Sequence, residues 1–165
     1  MNTGDGKGKS TAAFGTMLRS RARGWPVGVF QFLKSDDWKV GEEAMGRRLG
    51  VDWWALGDGF TWDSDDMDQT QAVASAAWAA ASAALCDDRY RLVILDEITY
   101  PMNWGWIDTA EVVDKITNRH PDVNVIATGR DAPDALCQIA DTVTEMRKVR
   151  HAYDRGVLAR RGLDY

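Results

Sequence analysis

The sequence is poor in cysteine, proline and histidine, has no excess of positive charge and contains no long apolar run. Each shortage excludes a class of protein. Its two cysteines, Cys86 and Cys137, have no metal-ligand spacing, so neither a disulfide framework nor a thiolate zinc site is available. Both are expected as buried free thiols in separate helices, which suits a reducing cytoplasm. The two histidines, His120 and His151, have no evident nucleophile partner and read as surface or capping residues. A formal net charge of -5 and a pI near 5.0 argue against a nucleic-acid partner, so any polyanion site must be local. No apolar stretch approaches the roughly 18 residues of a membrane span, and the N-terminus does not read as a signal peptide. The expectation is a cytoplasmic protein with no membrane partner. With 165 residues, 45% of them hydrophobic, the chain is long enough for one sizeable core, and residues 1–165 read as one domain.

What is present alternates. Apolar runs at Val27 to Leu33, Gly50 to Leu56, Arg91 to Asp96, Asn124 to Thr128 and Thr142 to Val149 predict strands. Between them, Thr11 to Arg23, Val40 to Leu49, Asp68 to Cys86, Asp108 to Arg119 and Pro133 to Ala140 predict helices, with Ala13, Phe14 and Met17 turned toward the core. Strand–helix alternation of this kind predicts an α/β fold with a mainly parallel sheet, whose ligands bind beyond the carboxyl ends of the strands. The sequence places Lys34, Phe60, Asp96-Glu97 and Arg130 at or just past such ends.

The stretch Gly4-Asp5-Gly6-Lys7-Gly8-Lys9-Ser10-Thr11, followed at once by a helical run, predicts a phosphate cradle. Glycines let the backbone approach an anion, N–H groups at the helix start point at it, and Lys9 adds a point charge. The hydroxyl of Ser10 is placed to hold Mg²⁺. The spelling departs from the usual G-x-x-x-x-G-K-[ST], since Thr3 stands where glycine is expected and Lys7 adds a second cation. A flexible Gly/Lys-rich tail is the competing reading. Only Met1-Asn2-Thr3 precede the loop, although such a loop normally hangs from a strand, so the first strand is expected to be missing. A chain with about ten further apolar residues upstream is then expected to be more stable and more soluble.

Leu92 to Leu95 is an apolar run that delivers Asp96 and Glu97 to the phosphate end of the sheet, as a Walker B strand does for Mg²⁺. Arg130 ends the next strand with a guanidinium suited to bidentate phosphate contact, a surface ion pair being the alternative. Arg19, further down the first helix, is a weaker candidate. No residue announces itself as the group that would orient water against a γ-phosphate. Eight tryptophans (Trp25, Trp38, Trp53, Trp54, Trp62, Trp78, Trp104 and Trp106) are an excess. Among the aromatics, Phe60 and Trp62 on the loop Gly59-Phe60-Thr61-Trp62 either plug the sheet edge or cover an apolar ligand.

Taken together, Thr3 to Ala13, Val27 to Phe32, Gly59 to Trp62, Leu95-Asp96-Glu97, Thr128 to Pro133, Thr144 to Arg147 and Gly156 to Tyr165 resemble the P-loop ATP:corrinoid adenosyltransferases of cobalamin biosynthesis (cob(I)yrinic acid a,c-diamide adenosyltransferases). The likeness runs in order along essentially the whole chain. It implies a three-layer P-loop NTPase-like (RecA-like) fold. It also implies an enzyme that transfers the 5′-deoxyadenosyl group of ATP to the Co(I) of a reduced corrinoid and releases triphosphate. Cobalt would be the nucleophile, so no catalytic Ser, Cys or His is required. The same likeness implies ATP contacts from Gly4, Asp5, Gly6, Lys7, Gly8, Lys9, Ser10, Thr11, Arg19 and Arg130, and a Mg²⁺ seat at Ser10 with Asp96 or Glu97. Phe60 and Trp62 would close one axial face of the corrin and, with Lys9, carry the catalytic roles. A flavoprotein reductant and a homodimer are implied as partners. Ser10 replaces a commoner Thr, and Asp5 stands where some members have Asn. An ordinary P-loop kinase or ATPase, or a corrinoid- or nucleotide-binding module without turnover, are the rival readings.

Overall fold

Two apolar pentads, Val27–Gln31 and Leu92–Asp96, are buried along their whole length and form the middle of a parallel sheet. A strand covered on both faces has no polar side to show, which is why these runs do not alternate. The computed structural model describes residues 1–33, 41–55 and 67–164, the side chains of 67–69 excepted. In chain order the elements are β1 (Asn2–Thr3), α1 (Lys9–Arg21), β2 (Val27–Gln31), α2 (Gly41–Arg48), β3 (Asp52–Ala55) and α3 (Met67–Leu85). They continue with β4 (Leu92–Asp96), α4 (Thr99–Asn103), α5 (Thr109–Thr117), β5 (Asn124–Ala127), α6 (Asp134–Gln138) and β6 (Thr144–Glu145). A 3-10 turn follows at Tyr153–Arg155.

Four strands pair in the order β3-β2-β4-β5, all parallel, with Gln31 opposite Asp96 and Leu95 opposite Ala127. β1 pairs parallel with β6 and bridges to the end of β5 through Asn2 and Thr128, so it lies between them. Parallel pairing brings the carboxyl ends of β2, β4 and β5 and the end of β1 to one edge, where the phosphate loop begins.

The faces follow from the two-residue period of a strand. Val27, Val29, Leu92 and Ile94 pack with Ala13, Phe14 and Met17 of α1 on one face. Phe30, Val93 and Leu95 pack with Trp78, Ala81 and Leu85 of α3, Val112 and Ile116 of α5 and Leu136 of α6 on the other. The result is the three-layer P-loop NTPase-like α/β arrangement that the sequence predicts.

Three expectations need correction. The first strand is present, although only two residues long. Its backbone is paired on both sides: Thr144 N donates to Met1 O (2.9 Å), Met146 N to Thr3 O (2.7 Å) and Gly129 N to Asn2 O (3.2 Å). The last strand shrinks from Thr142–Val149 to Thr144–Glu145, whose exposed side chains give no face to bury. The cysteines are free but not buried. Cys86 is exposed just past α3, one position round from buried Leu85, and Cys137 is half-buried. The segment α4 was not expected as a helix; Pro101 falls in its first turn, where the ring's missing N–H costs no intrahelical bond.

Asp108 starts α5 by accepting from Ala110 N (2.6 Å) and Glu111 N (3.2 Å). Asp108→Ala is expected to cost about 1 kcal/mol of stability, since those donors then lose their side-chain acceptor. Urea denaturation measures it. An unchanged midpoint would mean that packing of Val112 and Ile116 alone holds the helix start.

Candidate active site

The loop after β1 is held in shape by the chain that follows β6. Gly6 N donates to Met146 O (2.5 Å), and a Cβ at Gly6 would lie 2.6 Å from that oxygen. At Gly4, where φ is +93°, a Cβ would meet the same atom at 2.7 Å. Both glycines are therefore dictated by this close approach, and the alternating spelling of the loop has a packing cause.

Gly8 occupies the N-cap of α1, so no side chain caps the helix, and the first turn contains no acid. The partial positive charge of the helix start is left for an anion. Ser10 is half-buried and Thr11 exposed in that first turn. Lys9 folds back over the loop, its Nζ donating to Gly4 O (2.7 Å) and Gly6 O (2.8 Å). Burial, and then the Arg130 guanidinium, push its pKa below the ordinary 10.5, while Glu97 and Asp5 pull the other way. The charges of Arg130, Glu97 and Asp5 thus all reach Lys9 at the loop. Lys7 is placed differently: it makes an ion pair with Asp164, whose other oxygen accepts from Arg160 N at 2.8 Å. Arg19 is exposed, ten residues beyond Lys9 or about 15 Å along the helix axis.

The two acids at the end of β4 have separate surroundings. Asp96 is fully buried, and both its oxygens accept hydrogen bonds, Oδ2 from Gln31 Nε2 (2.9 Å) and Oδ1 from Thr128 Oγ1 (2.7 Å). Gln31 in turn accepts from Trp53 Nε1 at 2.9 Å. Glu97 is half-buried and adopts φ +64°, a conformation that costs a glutamate on the order of 1–3 kcal/mol. Its charge reaches both Lys9 and Tyr100.

Arg130 is exposed on a tight turn that α4 grips at two points. Thr99 Oγ1 donates to Arg130 O (2.6 Å) and Asn103 Nδ2 to Asp131 O (2.9 Å). Tyr100, on the same short helix, has its pKa raised by burial first and then by Glu97. Its hydroxyl is therefore harder to ionise than an ordinary tyrosine's. No spacing rule marks Tyr100, and its only local signal is a position three residues past Glu97.

Among the described residues, no group of three or more His, Cys, Asp or Glu could cage a metal ion. Phe60 and Trp62, like Lys34, lie outside the described residues. The histidines serve as expected. His120 Nδ1 accepts from Asp122 N (3.3 Å) and His151 Nδ1 from Tyr153 N (3.1 Å). No helix among the described residues is long and apolar enough to cross a membrane.

A strand, a glycine loop and a helix, with acids at the end of a parallel strand nearby, define a P-loop domain of the α/β class. Comparison with known proteins narrows this. The chain belongs to the family of ATP:corrinoid adenosyltransferases BtuR/CobO/CobP, whose family model matches residues 1–165. It is 40% identical over 163 residues to the corrinoid adenosyltransferase of Escherichia coli (strain K12), covering 99% of this chain and 83% of that protein. The corrinoid adenosyltransferase CobA of Salmonella typhimurium is 39% identical with the same coverage. The corrinoid adenosyltransferase of Pseudomonas aeruginosa is 39% identical over 167 residues, covering 100% of this chain and 82% of that protein. As a member of this family the chain is a transferase, and the family's substrates are ATP and a corrinoid.

Proposed function

We propose that this chain transfers the 5′-deoxyadenosyl group of ATP to the Co(I) of a reduced corrinoid and releases triphosphate. The observation that carries the reading is the uncapped, acid-free start of α1 with Lys9 folded over the loop, where the charges of Arg130 and Glu97 also reach Lys9. The electron pair on cobalt forms the Co–C5′ bond while the C5′–O bond breaks, and the departing oxygen keeps the bonding pair. The protein's task is then to hold C5′ in line and to stabilise charge that grows on the triphosphate. Lys9 and the N–H groups from Gly8 to Thr11 meet that charge from one side, and Arg130 meets it from another.

Ser10 and Glu97 would hold Mg²⁺, which supplies charge neutralisation on the phosphate oxygens. Asp96, with both oxygens engaged inside the protein, orients the strand end rather than touching the ion. Gly4, Asp5 and Gly6 shape the loop, and Lys7 contributes from its outer side, where Asp164 shares it. Arg19 lies too far down α1 for the phosphates at the loop, and suits another part of the nucleotide. Residues 1–165 act as one domain, in a cytoplasmic homodimer served by a flavoprotein reductant; family likeness supports these last assignments.

Anaerobic incubation with ATP and chemically prereduced Co(I) cobalamin tests the reading. A light-sensitive Co–C absorption spectrum and triphosphate in equal amount are expected. ADP or phosphate as product would make the chain an ordinary P-loop ATPase or kinase, and binding without product would make it a binding module.

Phe60 and Trp62 enter through family likeness as the pair that closes one axial face of the corrin and displaces the axial ligand of Co(II). An apolar side chain offers the metal no lone pair, so reduction to Co(I) becomes easier. Phe60→Ala and Trp62→Ala are expected to lower adenosylation more with Co(II) and a flavin reductant than with prereduced Co(I). Equal losses under the two conditions would refute that role.

A further inference from the structure

The hydrogen bonds at the carboxyl edge of the sheet form one continuous chain across four strands, and it ends on the backbone of Glu97. Trp53 on β3 donates to Gln31 at the end of β2, and Gln31 donates to Asp96 at the end of β4. From the other side Thr128, just past β5, donates its hydroxyl to Asp96 at 2.7 Å. The same Oγ1 accepts the backbone N–H of Glu97 at 3.0 Å. Gln31, Asp96 and Thr128 are at most 1% exposed, so water does not compete for these groups.

The direction of the chain follows from the donor inventory. A carboxylate can only accept, so the single hydroxyl proton of Thr128 is committed to Asp96. The Thr128 lone pair is thereby turned to the N–H of Glu97, and its partner's negative charge makes it a better acceptor. Glu97 needs such a hold, because φ +64° is a conformation that a non-glycine residue keeps only where its surroundings fix it.

We propose that Thr128 is a positioning residue, whose hydroxyl is set by buried Asp96 and fixes Glu97 in its left-handed backbone so that the Glu97 carboxylate meets the Mg²⁺ carried by ATP. The proposal rests on the assignment of Glu97 to the metal made above. It divides the labour of two adjacent acids. Asp96 is the buried anchor, Thr128 the link, and Glu97 the group that faces the substrate. Without the link, Glu97 relaxes toward ordinary φ values and its carboxylate leaves the loop.

Thr128→Val keeps the shape and removes both bonds; Thr128→Ser keeps both. Mn²⁺ binding to the full chain in the presence of ATP, read by electron paramagnetic resonance, reports the site without any corrinoid. Thr128→Val is expected to weaken Mn²⁺ binding about tenfold, in the range seen when outer-shell partners of metal sites are lost. Thr128→Ser is expected to stay within about twofold of the parent, since the link survives. Metal-free ATP binding, followed by tryptophan fluorescence, should be unchanged in both. Gln31→Met cuts the chain on the far side of Asp96 and separates general loosening from the proposed role, because it leaves the Thr128 link in place and should leave Mn²⁺ binding intact. If Thr128→Val does not fold, Thr128→Ala replaces it with the same expectations.

Parent-like Mn²⁺ binding by Thr128→Val, or an equal loss in Thr128→Ser, would overturn the proposal, as would absence of ATP-dependent Mn²⁺ binding in the parent chain. The outcome is independent of the transfer reaction. A Thr128-dependent Mn²⁺ site in a chain that forms no Co–C bond would uphold the link and reject the proposed reaction. A Co–C bond with a Thr128-independent metal site would do the reverse.

Discussion

Lys9→Ala is expected to slow adenosyl transfer to prereduced Co(I) by about 10²–10³-fold, the usual consequence of removing one preorganised group that meets charge developing in the transition state. The effect should fall on kcat as well as on the KM for ATP. Charge on the bridging oxygen grows only as C5′ departs, so a group aimed at it discriminates between ground state and transition state. Lys9→Arg is not expected to restore the rate. The ammonium sits between two carbonyls, Gly4 O at 2.7 Å and Gly6 O at 2.8 Å, a pocket for a compact point charge rather than a planar fork. Full activity in Lys9→Arg would show that positive charge alone suffices.

The pH dependence of the same residue separates its role from stability. Burial holds the Lys9 pKa below its ordinary 10.5, so the folded chain loses this proton first as pH rises. Activity that needs the ammonium should fall as pH passes upward through that lowered value. Stability moves the other way. Between the lowered pKa and 10.5 the unfolded chain binds more protons here than the folded one, so the Lys9 contribution to stability increases with pH. An activity loss that tracks unfolding would therefore not be titration of Lys9. The difference between parent and Lys9→Ala pH profiles isolates the effect.

The parts of this fold that could be read from the chain are those fixed by local spacing. β2 and β4 are continuous apolar runs because both of their faces are covered, and α1 is marked by the Gly8-Lys9-Ser10 start and by Ala13, Phe14 and Met17 on one side. Lys9 and the Asp96-Glu97 pair were legible for the same reason, since a loop, a strand end and their residue types carry the signal. Non-local pairing was not legible. Thr128 and Gln31 become partners of Asp96 only when parallel register sets their strands beside β4. Tyr100 comes within reach of the Glu97 charge on a five-residue helix, and such a helix has no periodicity to detect. The two-residue β1 is held by backbone bonds to chain segments more than 120 positions away, and side-chain pattern says nothing about those bonds. Likewise the glycines at positions 4 and 6 read as anion chemistry, whereas their immediate physical cause is the backbone of Met146 lying against them.

Gly129→Ala is expected to remove about 3–5 kcal/mol of stability, placing it among the most damaging single substitutions available to this chain. Two costs act together. The backbone at Gly129 has φ +149°, where a side chain is strained whatever the space around it. A Cβ built there would also lie 1.9 Å from Thr99 Oγ1, with Thr99 Cβ and Cγ2 at 2.8 and 2.9 Å. Thr99 is fully buried and its hydroxyl is committed to Arg130 O at 2.6 Å, so it has no open side to move into. Relief requires that α4 and the turn from Gly129 to Asp131 separate, which shifts Arg130 and Tyr100 from the phosphate loop at the same time. Urea denaturation should show the loss of stability, and transfer assayed on the remaining folded protein should show a further deficit. Thr99→Ala in the same chain removes Oγ1 and Cγ2 but leaves Thr99 Cβ and the strained φ. The double variant is therefore expected to recover part of the loss, so that the two effects are not additive. Strict additivity would mean that φ strain, and not the overlap with Thr99, is what makes glycine obligatory here.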